Sequence, residues 1–137
     1  MQKVLHFDSP VEVYQADACG ISCYDARFDL AIRKFLKRRG LGLVDHLKIP
    51  GGAKAFGAPL KEPDRDFALR GVRISLTLHN PKLALIIGHA DCGAYAGAPN
   101  EQVITDLIRA AEVVRAAEPS LAVETFFADF DGIYSVD

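Results

Sequence analysis

The feature that most constrains the fold is a short apolar run over residues 83–87, followed at once by Gly88. A continuous apolar run of this length is typical of a strand that is buried on both faces, as in a parallel sheet. Gly88 is expected to mark the end of that strand. His89 and Cys92 follow directly, and an imidazole nitrogen and a thiolate sulfur from one tight turn suit a tetrahedral zinc ion. The remaining ligands of such a site must come from elsewhere in the chain.

Periodicity along the rest of the chain predicts helices that alternate with strands. Apolar residues at helical spacing predict amphipathic helices over residues 28–36, about 65–78 and 100–117, with Asn100 as the N-cap of the last. Short apolar stretches bounded by turn residues predict strands over residues 3–7, 11–14, 16–22, 44–49, 121–127 and 133–136. This pattern indicates an α/β fold in which helices flank a mainly parallel central β-sheet. We expect a single domain over residues 1–137.

Composition and charge exclude several classes of partner. Half of the residues are hydrophobic and the formal net charge is −2, which is ordinary for a globular protein and argues against a nucleic-acid partner. The basic residues between 33 and 39 alternate with predicted core positions, so they are interpreted as a solvated helix face. No run approaches the ~18 apolar residues of a membrane span. We expect no membrane partner, and a cytoplasmic location because the start of the chain lacks a signal-peptide pattern.

The cysteines point to a metal rather than to disulfides. There are three, Cys19, Cys23 and Cys92, and no C-x-x-C motif. In a reducing compartment an odd number of cysteines indicates metal binding or reactivity. Cys23 directly follows the predicted strand 16–22, and ligands of open parallel sheets gather at the carboxyl ends of neighbouring strands. Cys23, His89 and Cys92 would then form the set of three protein ligands that a catalytic zinc needs, with a fourth position open for water.

Two charged residues follow Cys23 at fixed spacing, Asp25 and Arg27. Asp25 can either bind the metal or face its water, and Arg27 can hold that carboxylate through a bidentate contact. If Arg27 holds Asp25 away, the fourth position stays open and the pKa of a bound water falls toward about 7. If Arg27 releases Asp25, that carboxylate can close the site. A purely structural ion pair remains the alternative interpretation.

Together, Cys23-x-Asp25-x-Arg27 and Gly88-His89-x-x-Cys92-Gly93 resemble the motifs of the β-class carbonic anhydrases, and the similarity extends over residues 16–136. The resemblance implies that Cys23, His89 and Cys92 bind Zn²⁺ and that Asp25 and Arg27 form the catalytic dyad. It implies the reversible hydration of CO2 to bicarbonate by zinc-bound hydroxide. It also implies a homodimer or a higher homo-oligomer.

The sequence departs from that family in two places. Little room precedes residue 16 for the helical arms with which the family embraces a partner subunit. Residues 49–53 read Ile-Pro-Gly-Gly-Ala where the family usually carries Arg-Asn-Ala-Gly, and this stretch is interpreted as a backbone-constrained loop. Two alternatives therefore stay open. One is a related zinc hydrolase that acts on carbonyl sulfide or carbon disulfide, and the other is a non-catalytic zinc-binding domain.

Other residues that carry reactive groups receive structural interpretations. Cys19 is expected in the core, and Tyr95 and Phe56 are expected to pack rather than to line a pocket. Asp91 is expected to cap its turn, without a catalytic role. The histidines outside the motif have no ligand spacing and are predicted to be surface or loop residues: His6, His46 and His79.

Overall fold

The computed structural model describes residues 1–136 and contains a five-stranded sheet with the strand order β2-β1-β3-β4-β5. The strands are β1 (Ala18–Ser22), β2 (Val44–Lys48), β3 (Leu83–His89), β4 (Ala122–Ala128) and β5 (Ile133–Val136). The first four pair in parallel, and β5 runs antiparallel to β4. The predicted α/β class with a mainly parallel sheet is confirmed.

The helices are α1 (Ala26–Arg38), α2 (Lys54–Gly57), α3 (Glu62–His79) and α4 (Asn100–Ala117), and one 3₁₀ turn spans Gly93–Tyr95. The three long helices agree with the sequence prediction, although Pro99 rather than Asn100 takes the cap position of α4. The short α2 and the 3₁₀ turn were not predicted, because single turns carry no periodicity. Among residues 1–136, no helix combines the length and apolar character that a membrane crossing requires.

Two predicted strands, over residues 3–7 and 11–14, are wrong. Residues 1–15 are exposed and none of them belongs to a strand. The apolar side chains in this segment lie in solvent: Val4, Leu5, Phe7, Val11 and Val13. A run of β-forming residues becomes a strand only where a neighbouring strand accepts its backbone hydrogen bonds, and the described residues offer none to this segment.

The central strand β3 is apolar throughout because helices cover both faces of the sheet. Leu85 and Ile87 point to one face, where they pack against α1 through side chains such as Phe28. Ala84 and Ile86 point to the other face, in a core shared with α3 and α4. All four strand residues are at most 1% exposed. Successive side chains of a strand alternate between faces, so burial on both faces produces a continuous apolar run.

Gly88 does not end the strand, as the sequence suggested, but lies inside β3. A Cβ atom at this position would lie 2.8 Å from Cγ1 of Val103 and 3.1 Å from Cδ1 of Leu107, both in α4. Glycine is therefore required for the close approach of α4 to the sheet. Because the strand continues for one more residue, His89 becomes its last member and occupies a fixed position in the ladder.

The loop after β2 packs against the end of β1 and the adjoining Cys23. Gly51 and Gly52 have φ angles of +74° and +53°, a left-handed conformation that favours glycine. A Cβ atom on Gly52 would lie 3.1 Å from the backbone nitrogen of Cys23. The backbone nitrogen of Ile49 also donates a 2.9 Å hydrogen bond to the carbonyl oxygen of Ser22. This loop therefore supports the backbone at Cys23.

A polar cluster joins the N-terminal segment to β2 and α3. Asp45 accepts hydrogen bonds of 2.6 Å from the Tyr14 hydroxyl, 2.6 Å from the Ser75 hydroxyl and 2.9 Å from Nδ1 of His79. Burial alone would raise the pKa of Asp45, but these hydrogen bonds outweigh it and lower the pKa. His79, expected to be a surface or loop histidine, is instead the last residue of α3, and its ring stacks on Tyr14 at 4.0 Å.

We expect Asp45→Asn to lower the free energy of unfolding by about 1–3 kcal/mol at pH 7, because three donors, among them the buried Ser75 hydroxyl, lose a charged acceptor. A carboxyl whose pKa is lowered on folding contributes stability above its unfolded pKa of about 4 and loses it as the pH falls. Urea unfolding should therefore show that the difference from wild type shrinks below about pH 4. Asp66→Asn, at an exposed position of α3, is the matched control and should change little. Equal effects of the two substitutions would contradict this role of Asp45.

We expect Gly52→Ala to destabilise the protein more than Gly40→Ala does. Gly40 has a comparable φ of +76°, but no atom lies within 4 Å of a Cβ placed there. Gly40→Ala should therefore cost only the backbone strain, about 1–2 kcal/mol, whereas Gly52→Ala adds a contact with the Cys23 backbone. Urea unfolding of both variants measures the difference. The same loss in both would mean that the loop does not support Cys23.

Candidate metal centre

The sheet brings the predicted ligands together. Cys23 follows β1, His89 ends β3, and the two strands are parallel neighbours, with Ser22 aligned to Ile87. Cys92 lies in the turn after β3. The candidate ligand atoms of Cys23, His89 and Cys92 all lie within 4.8 Å of one another, and all three residues are buried. Residues from the two sequence motifs thus form one compact donor group, as expected from the predicted strand positions.

The orientation of His89 fits a metal ligand. Its Nδ1–H donates a 2.8 Å hydrogen bond to the carbonyl oxygen of Ala90, which fixes the tautomer and leaves the lone pair on Nε2. Nε2 is buried and has no hydrogen-bond partner among the described residues. The ring also packs against Phe28, with centroids 4.6 Å apart. A buried nitrogen without a partner is costly, and a metal ion between the two sulfurs would satisfy it.

The two sulfur ligands have opposite electrostatic environments. Burial would raise the pKa of Cys23, but the neighbouring His89 side chain and hydrogen bonds from the backbone of Gly51 and Asp25 lower it to about 7. Burial raises the pKa of Cys92, and the neighbouring Cys23 raises it further. The pocket therefore favours one thiolate over two. A cation would remove this conflict, because a coordinated thiol is deprotonated. Two sulfurs and one imidazole form a donor set that fits zinc.

Asp25 and Arg27 form a tight pair beside the donor group. Asp25 is the N-cap of α1, and its side chain accepts a 3.0 Å hydrogen bond from the backbone N–H of Arg27. The Arg27 guanidinium donates two hydrogen bonds to the same carboxylate, from Nη2 to Oδ2 at 2.7 Å and from Nε to Oδ1 at 3.1 Å. These contacts lower the pKa of Asp25 to about 2. Asp25 is therefore ionised, and it lies outside the group of candidate ligands.

Arg27 also contacts Asp91, for which the sequence predicts only a cap of its turn. Its Nη1 donates to Oδ2 of Asp91 at 2.9 Å, and its Nη2 donates to the Asp91 carbonyl oxygen at 3.1 Å. Asp91 has a φ of +52°, which is uncommon for a residue other than glycine. Nothing in the local sequence reveals this contact, because the two residues are 64 positions apart.

One cavity lies beside Cys92, and a second lies beside the loop after β2. A cavity of about 310 Å³ opens on the Asp91 and Cys92 side, where Asp129 and Phe130 from the β4–β5 turn complete the wall. The second, about 490 Å³, is mainly apolar and lies beside the Gly51–Gly52 loop, with Ile49, Phe67 and Ala94 among its lining residues. Both are large enough for a small neutral molecule, and the first reaches a candidate ligand directly.

The residues assigned to packing are in the core. Cys19 and Phe56 have no exposed surface, and Tyr95 is 6% exposed, so these expectations are confirmed. Tyr95 follows Cys92 in the 3₁₀ turn and anchors that turn through a 2.9 Å hydrogen bond from its backbone N–H to the carbonyl oxygen of Cys92. Its buried hydroxyl has no hydrogen-bond partner among the described residues.

Comparison with solved structures identifies similar folds. A carbonic anhydrase from Glaciozyma antarctica has a TM-score of 0.64 at 16% identity, covering 92% of this chain and 85% of that chain. A tetrameric β-carbonic anhydrase from Sordaria macrospora has a TM-score of 0.58 at 14% identity, covering 90% and 81%. The apo form of a carbon disulfide hydrolase has a TM-score of 0.60 at 11% identity, also covering 90% and 81%. At these identities the likeness establishes the fold alone.

Comparison by sequence gives a match to one protein family. No curated protein matches the chain significantly. The model of one protein family, described as "Putative carbonic anhydrase", matches residues 14–136 and so spans nearly the whole chain. That range includes all five strands, both sequence motifs and the complete donor group. The chain therefore belongs to the carbonic anhydrase family, and its fold is that of the β-class enzymes.

Proposed function

We propose that this protein is a zinc-dependent carbonic anhydrase that interconverts CO2 and bicarbonate. The observation that carries the proposal is the compact group of Cys23, His89 and Cys92, in which Nε2 of His89 is buried without a hydrogen-bond partner among the described residues. Zinc held there would supply a Lewis acid that lowers the pKa of a coordinated water to about 7. Membership of the carbonic anhydrase family supports CO2 and bicarbonate as the small-molecule substrates.

In this proposal each site residue has a defined role. Cys23, His89 and Cys92 would hold the metal, and three protein ligands are the number found in catalytic rather than structural zinc sites. Asp25 is a carboxylate at neutral pH, because its pKa is about 2, so it can accept a hydrogen bond from the attacking water. Arg27 orients Asp25 through the bidentate contact and keeps it from the metal.

A related zinc hydrolase for carbonyl sulfide or carbon disulfide is the second candidate. It would use the same metal site and would differ in the pocket that receives the linear substrate. The structural likeness to a carbon disulfide hydrolase favours it, as does the apolar cavity beside the Gly51–Gly52 loop. A non-catalytic zinc domain would instead need Asp25 as the fourth ligand. The contacts of Asp25 with Arg27 argue against that arrangement.

We further propose a homodimer or a higher homo-oligomer. Strands β2 and β5 form the edges of the sheet, and a solved relative of the same fold is tetrameric. Unpaired edge strands favour pairing with another chain. A cytoplasmic location is part of the proposal as well, because the three cysteines are free and the site requires reduced thiols.

The deciding measurement is stopped-flow CO2 hydration on protein of known zinc content. We expect activity that rises between about pH 6.5 and pH 9, as bound water ionises, and that is proportional to zinc. Cys23→Ser should lose zinc and activity together. Cys19→Ser makes the same chemical change at a cysteine outside the donor group and should keep both. A zinc-loaded wild type without activity toward CO2 would contradict the proposal.

A substrate panel separates the first two candidates. Carbonyl sulfide and carbon disulfide are offered to the same zinc-loaded protein, and sulfide release is measured beside CO2 hydration. A carbonic anhydrase should favour CO2 by a wide margin. Turnover of the sulfur compounds with little CO2 hydration would replace the first proposal with the second. Stoichiometric zinc without turnover of any of the three substrates would favour the binding domain.

We expect Arg27→Ala to retain zinc but to lower kcat about 10–100-fold, the usual effect of removing a residue that orients a metal-site group. Arg33→Ala is the matched control, because Arg33 lies on the same helix and forms a 2.8 Å ion pair with Asp29 away from the donor group. Its kcat should stay near wild type. Undiminished turnover in Arg27→Ala would remove Arg27 from the mechanism.

A further inference from the structure

We propose that Asp91 is a positioning residue: it fixes the guanidinium of Arg27 so that Arg27 holds Asp25 away from the fourth metal position. The inference rests on the proposed metal site, and it extends the Asp25–Arg27 pair to a chain of three charged residues. From the sequence, Asp91 is expected only to cap its turn. The hydrogen bonds that it accepts from Arg27 indicate the further role.

The guanidinium divides its donors between the two carboxylates. Nε and Nη2 face Asp25, while Nη1 faces Oδ2 of Asp91 at 2.9 Å. Nη2 also reaches the Asp91 carbonyl oxygen at 3.1 Å. A guanidinium is planar, with all of its donors in one fork. Contacts at both ends of the fork therefore fix its plane. The Asp91 carboxylate binds Nη1, which the Asp25 carboxylate does not use.

Asp25 alone cannot fix Arg27 relative to the metal. The two residues are neighbours at the start of α1, so their pair can move together. Asp91 belongs to the other side of the site, because it lies between His89 and Cys92. Among the hydrogen bonds described for Arg27, those to Asp91 are the ones that cross from α1 to the turn after β3. They tie the position of the dyad to the position of the ligands.

The remaining neighbours of Arg27 restrain it weakly. Its Cζ atom lies 5.8 Å from the Phe28 ring centroid and 5.6 Å from that of Phe130, at the outer range of cation–π contacts. The Arg27 side chain is 47% exposed. Solvent can therefore replace a lost partner, and an Arg27 freed from Asp91 gains room to turn away from the site.

The backbone at Asp91 is consistent with a positioning role. A φ of +52° is unfavourable for most side chains. Aspartate tolerates this conformation better than most residues, whereas glycine adopts it freely. The Asp91 side chain is 73% exposed, so packing does not require it. The turn thus keeps a carboxylate at a position where glycine would suit the backbone better.

Because Asp91 has a positive φ, it can be replaced by glycine without backbone strain. Asp91→Gly removes the carboxylate and relieves the backbone, so a folding defect is not expected. Asp91→Asn keeps the size of the side chain and an oxygen that can accept from Nη1, but it removes the charge. Ala96→Gly is the matched control, because Ala96 has a φ of +50° just after the same turn and makes no described contact with Arg27.

The test uses Co²⁺ in place of zinc, with azide as the probe of the open fourth position. Azide binding is followed by the visible absorption spectrum of the cobalt protein. Wild type and Ala96→Gly should bind azide alike. Asp91→Gly should bind it about ten-fold more weakly, because Asp25 competes for the metal, and Asp91→Asn should be intermediate. The double variant Asp91→Gly/Asp25→Asn should recover azide binding. Unchanged affinity in Asp91→Gly, or no recovery in the double variant, would overturn the proposal.

A second measurement needs no metal. The Nε–H resonance of Arg27, assigned by its loss in Arg27→Lys, reports the order of the guanidinium in ¹⁵N NMR spectra. We expect it to shift and broaden in Asp91→Gly and to stay unchanged in Ala96→Gly. If the Arg27 resonance is the same in Asp91→Gly and Ala96→Gly, the proposal is overturned. This outcome can be read even if the protein takes up no cobalt. Failure of CO2 hydration in wild type, with both effects of Asp91→Gly present, would reject the proposed substrate and leave the positioning role intact.

Discussion

The parallel pairing of β1 with β3 is the interaction on which the candidate centre depends. It places the carboxyl ends of the two strands side by side, with Ser22 aligned to Ile87. Cys23 then lies next to His89, although the two residues are 66 positions apart in the sequence. The apolar side chains of β3 stabilise this pairing because helices cover both faces. The buried core of the sheet therefore sets the distance between the candidate ligands.

The site itself is built at an energetic cost to the metal-free chain. It buries an imidazole nitrogen without a partner and two thiols within 4.8 Å of that ring and of each other. Such groups destabilise a fold unless a ligand satisfies them. At the edge of the site, Arg27 forms ion pairs with Asp25 and Asp91 and so neutralises part of their negative charge. Together these features describe a pocket that could hold a cation, with an ordered carboxylate beside it.

Much of the fold could be predicted because periodicity is a local property. The three long helices and the strands from residue 16 onward follow from patterns within each segment. The wrong predictions concern positions whose structure depends on another segment of the chain. Residues 3–7 and 11–14 have strand-forming composition but no partner strand among the described residues. Gly88 looked like a strand end, yet it lies inside β3 because α4 packs against it.

The donor types and their order can be read from the amino-acid sequence: a cysteine followed by an Asp–Arg pair, and a His-x-x-Cys turn, each after a predicted strand. How these groups meet depends on the tertiary fold. The hydrogen bond that leaves Nε2 of His89 without a partner depends on the turn geometry after β3. The contact between Arg27 and Asp91 joins residues 64 positions apart. Local patterns record neither of these, because both arise when strands and helices from distant parts of the chain pack together.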